Sequence, residues 1–545
     1  MRGLVAAAAL ALAACAHGAP AVSQPVVEAP AGTLRGVSQG DVNAFRGIPY
    51  AQPPVGWRRW RPPAELPRWS GVRDAADFGP ACHQPTARGT SIYAGEAPEM
   101  SEDCLSLNIW APDDAEGLPV FVWIHGGALT TGASSEAMYD GAALAREGLV
   151  VVSINYRLGV LGYLAHPELS SESSRNISGN YGLQDQIAAL RWVERNIAAF
   201  GGDPGQVTIA GESAGALSVM YLMASPEARG LFDRAIAQSA YMISTPELRS
   251  RRYGDFAAEE VGLWLQVQLG RQNLAEMRGM DAQELTVAAV QAGYAPWGTI
   301  DGHYLPEQLV TIFDRGEQAP VPLLAGFNQG EIRSLRMLLP PSPPAEAAAY
   351  EQAIRDRYGD LADAFLALYP SADIPESLLA TQRDGLYGWT AERLARRQTA
   401  LGQPAYLYLF DHGYPATDEA GLHAFHAAEI PYVFGTHGRT APRWPTAPDT
   451  PEERAFTEAM QDYWASFARG ETPSAEGQPA WPAYGETRAY MAFEQTPTPR
   501  ERLMPGMFDL QESLVCRRRH AGGTPWNWNF GVISPPLPPA SPACP

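Results

Sequence analysis

The chain has 545 residues, a formal net charge of −20, 46% hydrophobic content and 18% charged residues. That balance describes a globular protein with a large core, and so negative a chain repels phosphate backbones, which argues against nucleic acid as a partner. No lysine occurs, so all 40 basic residues are arginine; Schiff-base lysines, phosphate-loop lysines and Ser-Lys nucleophile pairs are excluded, and basic catalysis falls to histidine or a carboxylate.

The first residues read as an address. Arg2 precedes an apolar run over residues 4–14, too short for a bilayer span of about 20 residues but suited to a signal peptide over 1–15. Its end, Leu12-Ala13-Ala14-Cys15, resembles a bacterial lipoprotein signal in which Cys15 is lipidated after cleavage; ordinary cleavage after Ala16 or Ala19 is the alternative. Five cysteines is an odd number, and giving Cys15 to a lipid leaves an even set that can pair. Either route exports the protein, to the periplasm, to a lipid anchor on the outer membrane, or into the medium, where disulfides persist. Residues 16–30, rich in Ala, Pro, Ser and Gln, read as a flexible tether.

Residues 32–36 and 42–48 read as a short hairpin, and 49–67 as a Pro-, Trp- and Arg-rich surface stretch. Cys82 and Cys104 flank a polar loop; a bond between them would contribute roughly 3 kcal/mol by loop entropy, and two buried thiols are the other reading. Residues 105–110 alternate like a strand, and 119–124 and 149–155 are continuous apolar runs, as strands buried on both faces require. Helical spacing over 183–200 stops at Gly201-Gly202-Asp203-Pro204. Residues 207–210 form a strand that enters Gly211-Glu212-Ser213-Ala214-Gly215, and a helix-forming run follows to Met223. Further strands are read at 232–238, 321–325 and 405–410, and an amphipathic helix at 452–469. The β-α-β alternation predicts an α/β fold with a largely parallel sheet. Residues 246–400 read as helices laid over the sheet, a cap or gorge wall. The main unit spans 31–516, with a Pro- and Trp-rich tail over 517–545 in which Cys516 and Cys544 could pair.

The G-x-S-x-G stretch between strand and helix is the context of a nucleophile elbow, with Ser213 projecting above the sheet edge and the Ala214 amide at the new helix N-terminus; a Gly-Ser turn without chemistry is the plainer reading. A serine nucleophile needs a base oriented by an acid, here in the chain order Ser, acid, His. Glu331, in the loop after 321–325, stands where a sheet places site residues, although position alone equally allows a solvated Glu on a turn. Of ten histidines, His426 is the best base, in a loop after a late strand, while His125 more simply shapes the Gly-Gly turn. His423, His426 and Glu429 could instead suggest a metal, but H-x-x-H-x-x-E is not a zinc-protease spacing. The turn after Ile124 carries Gly127 and Ala128, which with Ala214 would supply the amides of an oxyanion hole.

These features recur in order: Phe45-Arg46-Gly47-Ile48-Pro49-Tyr50-Ala51, Glu102-Asp103-Cys104-Leu105, His125-Gly126-Gly127-Ala128, Asn155-Tyr156-Arg157-Leu158-Gly159, Gly179-Asn180-Tyr181-Gly182, Gly211-Glu212-Ser213-Ala214-Gly215, Asn328-Gln329-Gly330-Glu331 and His426-Ala427-Ala428-Glu429-Ile430-Pro431-Tyr432. On them, roughly from residue 30 to 510, the chain resembles the type-B carboxylesterases, the cholinesterase-like α/β-hydrolases. The resemblance implies an α/β-hydrolase fold with a central, mostly parallel sheet, helices on both faces and a helical cap or gorge insertion. It implies Ser213 as nucleophile, Glu331 as acid, His426 as base, and Gly127, Ala128 and Ala214 as oxyanion donors. Glu212 and Ser239 become polar supports behind them, and Cys82 pairs with Cys104. No metal or cofactor is implied, and the partner is a small-molecule ester. Leu129 and Ile332 stand where the family often has an aromatic residue and a glycine, and the Cys82–Cys104 loop lacks the tryptophan that contacts choline in cholinesterases.

The expected activity is therefore serine-dependent cleavage of carboxylic esters, falling below roughly pH 6 as the base protonates. The alternatives are a binding or adhesion protein that keeps the fold without turnover, and a hydrolase of amides, thioesters or lactones. The natural ester and the oligomeric state are not encoded legibly.

Overall fold

The computed structural model describes residues 24–86 and 91–544. The signal peptide, Cys15 and the first part of the tether lie outside the described residues. In chain order the strands are β1 (Val26–Ala29), β2 (Gly32–Arg35), β3 (Val37–Ser38), β4 (Val42–Pro49), β5 (Val72–Asp74), β6 (Ser106–Pro112) and β7 (Leu118–Ile124), then β8 (Val150–Ile154), β9 (Gly202–Glu212), β10 (Arg234–Gln238), β11 (Leu323–Asn328), β12 (Ala405–Phe410), β13 (Ala489–Phe493) and β14 (Pro497–Glu501). Eleven form one sheet, ordered β14-β13-β12-β11-β10-β9-β7-β8-β6-β4-β3. Every neighbouring pair from β13 to β8 is parallel. Antiparallel strands complete both edges.

The apolar runs explain the layers. In β7, Val120, Val122 and Ile124 enter one core while Phe121 and Trp123 enter another on the opposite face; in β12, Leu407 and Leu409 oppose Tyr406, Tyr408 and Phe410. A strand with helices on both faces must be apolar on both. The helices Tyr181–Asn196, Ala214–Ala224 and Trp389–Ala400 contribute Ile187, Leu217 and Leu394 to the first core, and the helix Pro451–Ala468 contributes Met460 and Trp464 to the second.

The expected cap is real but smaller than its sequence span. Residues 258–292 and 347–378 build satellite cores of their own, whereas the helix Trp389–Ala400 is the crossover from β11 to β12 and lies on the sheet. Three further expectations are corrected. Residues 32–36 do not form a hairpin with 42–48: β2 pairs with β1 and β5, and β4 pairs with β3 and β6. The tether ends before residue 30, because Val26–Ala29 is already a strand. The boundary read at 516 does not divide the fold: residues 517–544 pack with the main unit. They begin inside the helix Met507–Ala521, bury Trp526, and seat Asn529 against Arg518 Nε at 2.8 Å. Cys516 is bonded to Cys544, and Cys82 to Cys104.

Arginine carries the ion pairs. Arg157 meets Asp185 through Nε at 2.7 Å and Nη2 at 2.7 Å, both side chains almost fully buried; Arg393 reaches Asp314 and Glu512. The planar fork suits such bidentate contacts. Replacing one member of a buried pair strands its partner's charge. Arg157→Met is expected to lose about 3–5 kcal/mol, read as a lower urea midpoint. Cys544→Ser is expected to lose about 3 kcal/mol, read as a lower urea midpoint without reductant, and reductant should then cost the parent more than the variant, in which only Cys82–Cys104 is left to break.

Candidate active site

The site assembles where β9, β10 and β11 end side by side. Gln238 of β10 is in register with Glu212 of β9 and with Gly326 of β11, so the residues just beyond these points converge at the carboxyl edge of a parallel sheet, where sites gather in such folds.

Ser213 sits at φ 56°, ψ −120°, between β9 and the helix Ala214–Ala224. A non-glycine residue held there costs about 1–3 kcal/mol, which the surrounding packing must over-determine. A methyl on Gly215 would lie 2.0 Å from the Ile124 carbonyl oxygen, so the new helix can pass the end of β7 only as glycine. Serine before a helix ordinarily caps it with its hydroxyl; here the Ser213 side chain makes no capping bond. Its N–H donates to the Gln238 carbonyl at 2.9 Å, which fixes the turn. Ser213 alone in the elbow reaches solvent, between buried Glu212 and Ala214.

The loop after β7 lies against this turn: a methyl on Gly126 would stand 3.3 Å from Ser213 Cβ. Gly127 has φ 97°, and its own added methyl would meet the Thr131 carbonyl at 2.2 Å. Ala128 and Leu129 follow at φ 55° and 56°. The amides of Thr130 and Thr131 both donate to the Gly127 carbonyl. His125 is buried and stacks on Tyr156, with Nδ1 on the Gly126 carbonyl at 3.0 Å. Burial holds its pKa down to about 4, so it is a neutral brace for this loop.

Glu331 opens the turn after β11 and is fully buried. Its Oε1 accepts from Ser239 Oγ at 2.6 Å and from the Asn328 amide at 2.9 Å, which leaves Oε2 to His426 Nδ1. An ionised carboxylate only accepts, so the Nδ1 proton lies between them and Nε2 is the basic nitrogen. That Nε2 lies 3.1 Å from Glu212 Oε1. The structure thus joins Glu331, Ser239, His426 and Glu212 directly, and records Nε2 on Glu212 rather than on the Ser213 hydroxyl.

The local charge shapes both groups. Burial alone would lower the His426 pKa, but Glu212 and Glu331 outweigh it and push it up to about 9. Burial is also the main reason Glu212 is raised to about 8, opposed by His426 and reinforced by Glu429 and Glu331. The two titrate as a pair.

Sequence reasoning missed much of the support. Glu429 is not a metal ligand beside His423. It accepts from Gln238 Nε2 at 2.9 Å and Asn328 Nδ2 at 2.6 Å, while His423 pairs with Asp411 and Asp418. Gln238 in turn accepts from Trp464 Nε1 at 3.0 Å. A one-turn π-helix, Asp384–Gly388, brings Tyr387 over the His426 ring with centroids 5.3 Å apart; such bulges frequently mark functional sites. The two glycines flanking Leu386 and Tyr387 were the only available hint.

Comparison with known proteins gives the family. A family model described as the carboxylesterase family matches residues 23–507. Fumonisin B1 esterase of Sphingopyxis macrogoltabida is 37% identical over 85% of this chain and 85% of its own length. Para-nitrobenzyl esterase of Bacillus subtilis is 37% identical over 85% of this chain and 94% of its own. A solved PNB esterase structure superposes with TM-score 0.76 at 34% identity, covering 88% of this chain and 97% of that one. A Geobacillus stearothermophilus carboxylesterase gives 0.75 at 34% identity, covering 89% and 99%. A strained serine turn at the edge of a mostly parallel sheet, and relatives of this likeness along most of the chain, lead to one conclusion: the chain belongs to the carboxylesterase family and is a carboxylic ester hydrolase.

Proposed function

We propose that the enzyme cleaves small-molecule carboxylic esters through an acyl-enzyme formed on Ser213, with His426 as base and Glu331 as the orienting acid. The observation that carries this reading is Glu331 on His426 Nδ1, beside a strained serine whose hydroxyl is withheld from capping its helix. In the reaction Ser213 Oγ bonds to the ester carbonyl carbon as its proton passes to His426 Nε2. The amides of Gly127, Ala128 and Ala214 stabilise the oxyanion. As the carbon–oxygen bond breaks, the imidazolium gives its proton to the departing alcohol. Water, deprotonated by the same nitrogen, then releases the acid and restores Ser213. Glu331, held on its other oxygen by Ser239 and Asn328, keeps the imidazole in the required tautomer and stabilises its cation.

Nε2 serves Ser213 only after leaving the Glu212 contact, and Glu212 favours the protonated imidazole. This revises the pH expectation. The acidic limb of kcat/KM should lie above the ordinary imidazole value of about 6.5 rather than near pH 6. Two disulfides support an exported enzyme, and we extend the proposal to export by the N-terminal signal with lipid attachment at Cys15.

Ser213→Ala is expected to lower p-nitrophenyl ester turnover by roughly 10⁴-fold or more and to abolish fluorophosphonate labelling; turnover that survives would refute the nucleophile. Glu212→Gln removes a negative charge next to Nε2, so its acidic limb should move down toward about 6.5, read from kcat/KM profiles. An unmoved limb would show that Glu212 does not govern the base. Gly127→Ala should reduce kcat by roughly 10²-fold, because the added methyl displaces the donor loop.

A further inference from the structure

Tyr93 lies in the disulfide-closed loop between Cys82 and Cys104, far in sequence from every residue of the proposed triad. Its hydroxyl is 2.8 Å from the His426 carbonyl oxygen and 2.7 Å from Ser334 Oγ. Proton counting fixes the directions. A carbonyl can only accept, so the single Tyr93 proton goes to His426, and Ser334 must donate its own to the phenol oxygen. The competing acceptor for Ser334, the Glu331 carbonyl, is 3.4 Å away, so the shorter contact holds the proton. The chain of bonds therefore runs from the turn that carries Glu331, through Ser334 and Tyr93, to the backbone of His426.

That backbone needs holding. His426 stands in an irregular turn before the short helix Ile430–Phe434, with His423 and Ala427 at positive φ on either side. The Tyr93 ring is itself seated against Phe425 and Trp444, with centroids 6.5 and 5.9 Å away. The same loop grips the oxyanion segment: Gln84 donates from Nε2 to the Gly132 carbonyl and accepts from its amide, both at 2.9 Å.

Resting on the triad reading above, we propose that Tyr93 is a positioning residue, whose phenol locks the base turn to the acid turn and so sets the reach of His426 Nε2 toward Ser213. The phenol stays protonated across the working range: the residue is about a third exposed (36%), but its hydroxyl is drawn in, and that burial, with the charges of Glu212, Glu331 and Glu429, holds its pKa above the ordinary phenol value against the bond from Ser334.

Tyr93→Phe keeps the ring and its packing and deletes the hydroxyl. The expected result is a kcat for a p-nitrophenyl ester and a fluorophosphonate labelling rate each about tenfold lower, per titrated active site. KM should stay within about twofold and the melting temperature near that of the parent, a split that loss of folded protein does not produce. Adding Ser334→Ala to Tyr93→Phe should cost nothing further, since both act through one chain of bonds. Parental kcat and labelling rate in Tyr93→Phe would overturn the proposal, as would a loss confined to the number of active sites. Should Tyr93→Phe fail to fold, Ser334→Ala alone decides: a kcat reduced by about threefold at constant KM upholds the role, and an unchanged kcat ends it. Ser213→Ala run in parallel separates the two readings. If it keeps turnover, the triad falls and the Tyr93 role with it; if it is inactive while Tyr93→Phe is normal, only the Tyr93 role falls.

Discussion

Three buried carboxylates surround one buried imidazole. Glu212, Glu331 and Glu429 all lie within the charge field of His426, and all are almost completely withdrawn from water. Such a group is tolerable only if each charge finds donors. Glu331 takes Ser239 and the Asn328 amide and Glu429 takes Gln238 and the Asn328 side chain, whereas Glu212 Oε1 faces His426 Nε2 as an ion pair without a hydrogen bond, and it is the carboxylate pushed up to about 8. Ser239, Gln238 and Asn328 come from the ends of β10 and β11 or just beyond, and His426 from the loop that follows β12. The order of strands in the sheet is thus what makes the cluster possible, and the aromatic core on its far face, through Trp464 and Gln238, continues the same network.

This arrangement stores two opposed demands. The serine turn is strained and its hydroxyl makes no capping bond, whereas His426, the base of the proposed mechanism, is stabilised in its charged form by Glu212. Turnover requires the first to be exploited and the second relieved. An enzyme with the same serine and acid but an uncharged neighbour at Glu212 would have a weaker base that is free at lower pH. The carboxylate therefore exchanges availability of the base for basicity once it is free.

What the sequence made legible follows the range of the forces involved. The elbow could be read because its demands are local: a strand, two glycines, a serine and a helix within ten residues or so of one another. The buried strands were equally plain, since both faces of β7 and β8 are apolar. Glu331 and His426 were candidates by position, and became specific only through the ordered family motifs, because their meeting is a contact between distant segments. Glu429 was given no role once the metal spacing was rejected, since spacing cannot show that its partners are Gln238 and Asn328. Tyr93 carried no signal at all, as its role arises from a loop folding back on a turn hundreds of residues later. The misplaced hairpin has a similar cause: β2 and β4 both alternate, but only long-range pairing tells which neighbour each takes. At the end of the chain composition set a Pro- and Trp-rich tail apart from the main unit, although Trp526 is core.

The all-arginine framework has a consequence of another kind. A guanidinium keeps its charge far into alkali, where an ammonium would already be losing it. The pairs of Arg157 with Asp185 and of Arg393 with Asp314 and Glu512 therefore do not loosen over the range in which His426 becomes free to act. The described cysteines are all oxidised and offer no thiolate to form there. These arginine pairs thus keep their charge as pH rises while, on the proposed mechanism, the active centre gains its free base, so that the two answer to different parts of the pH scale.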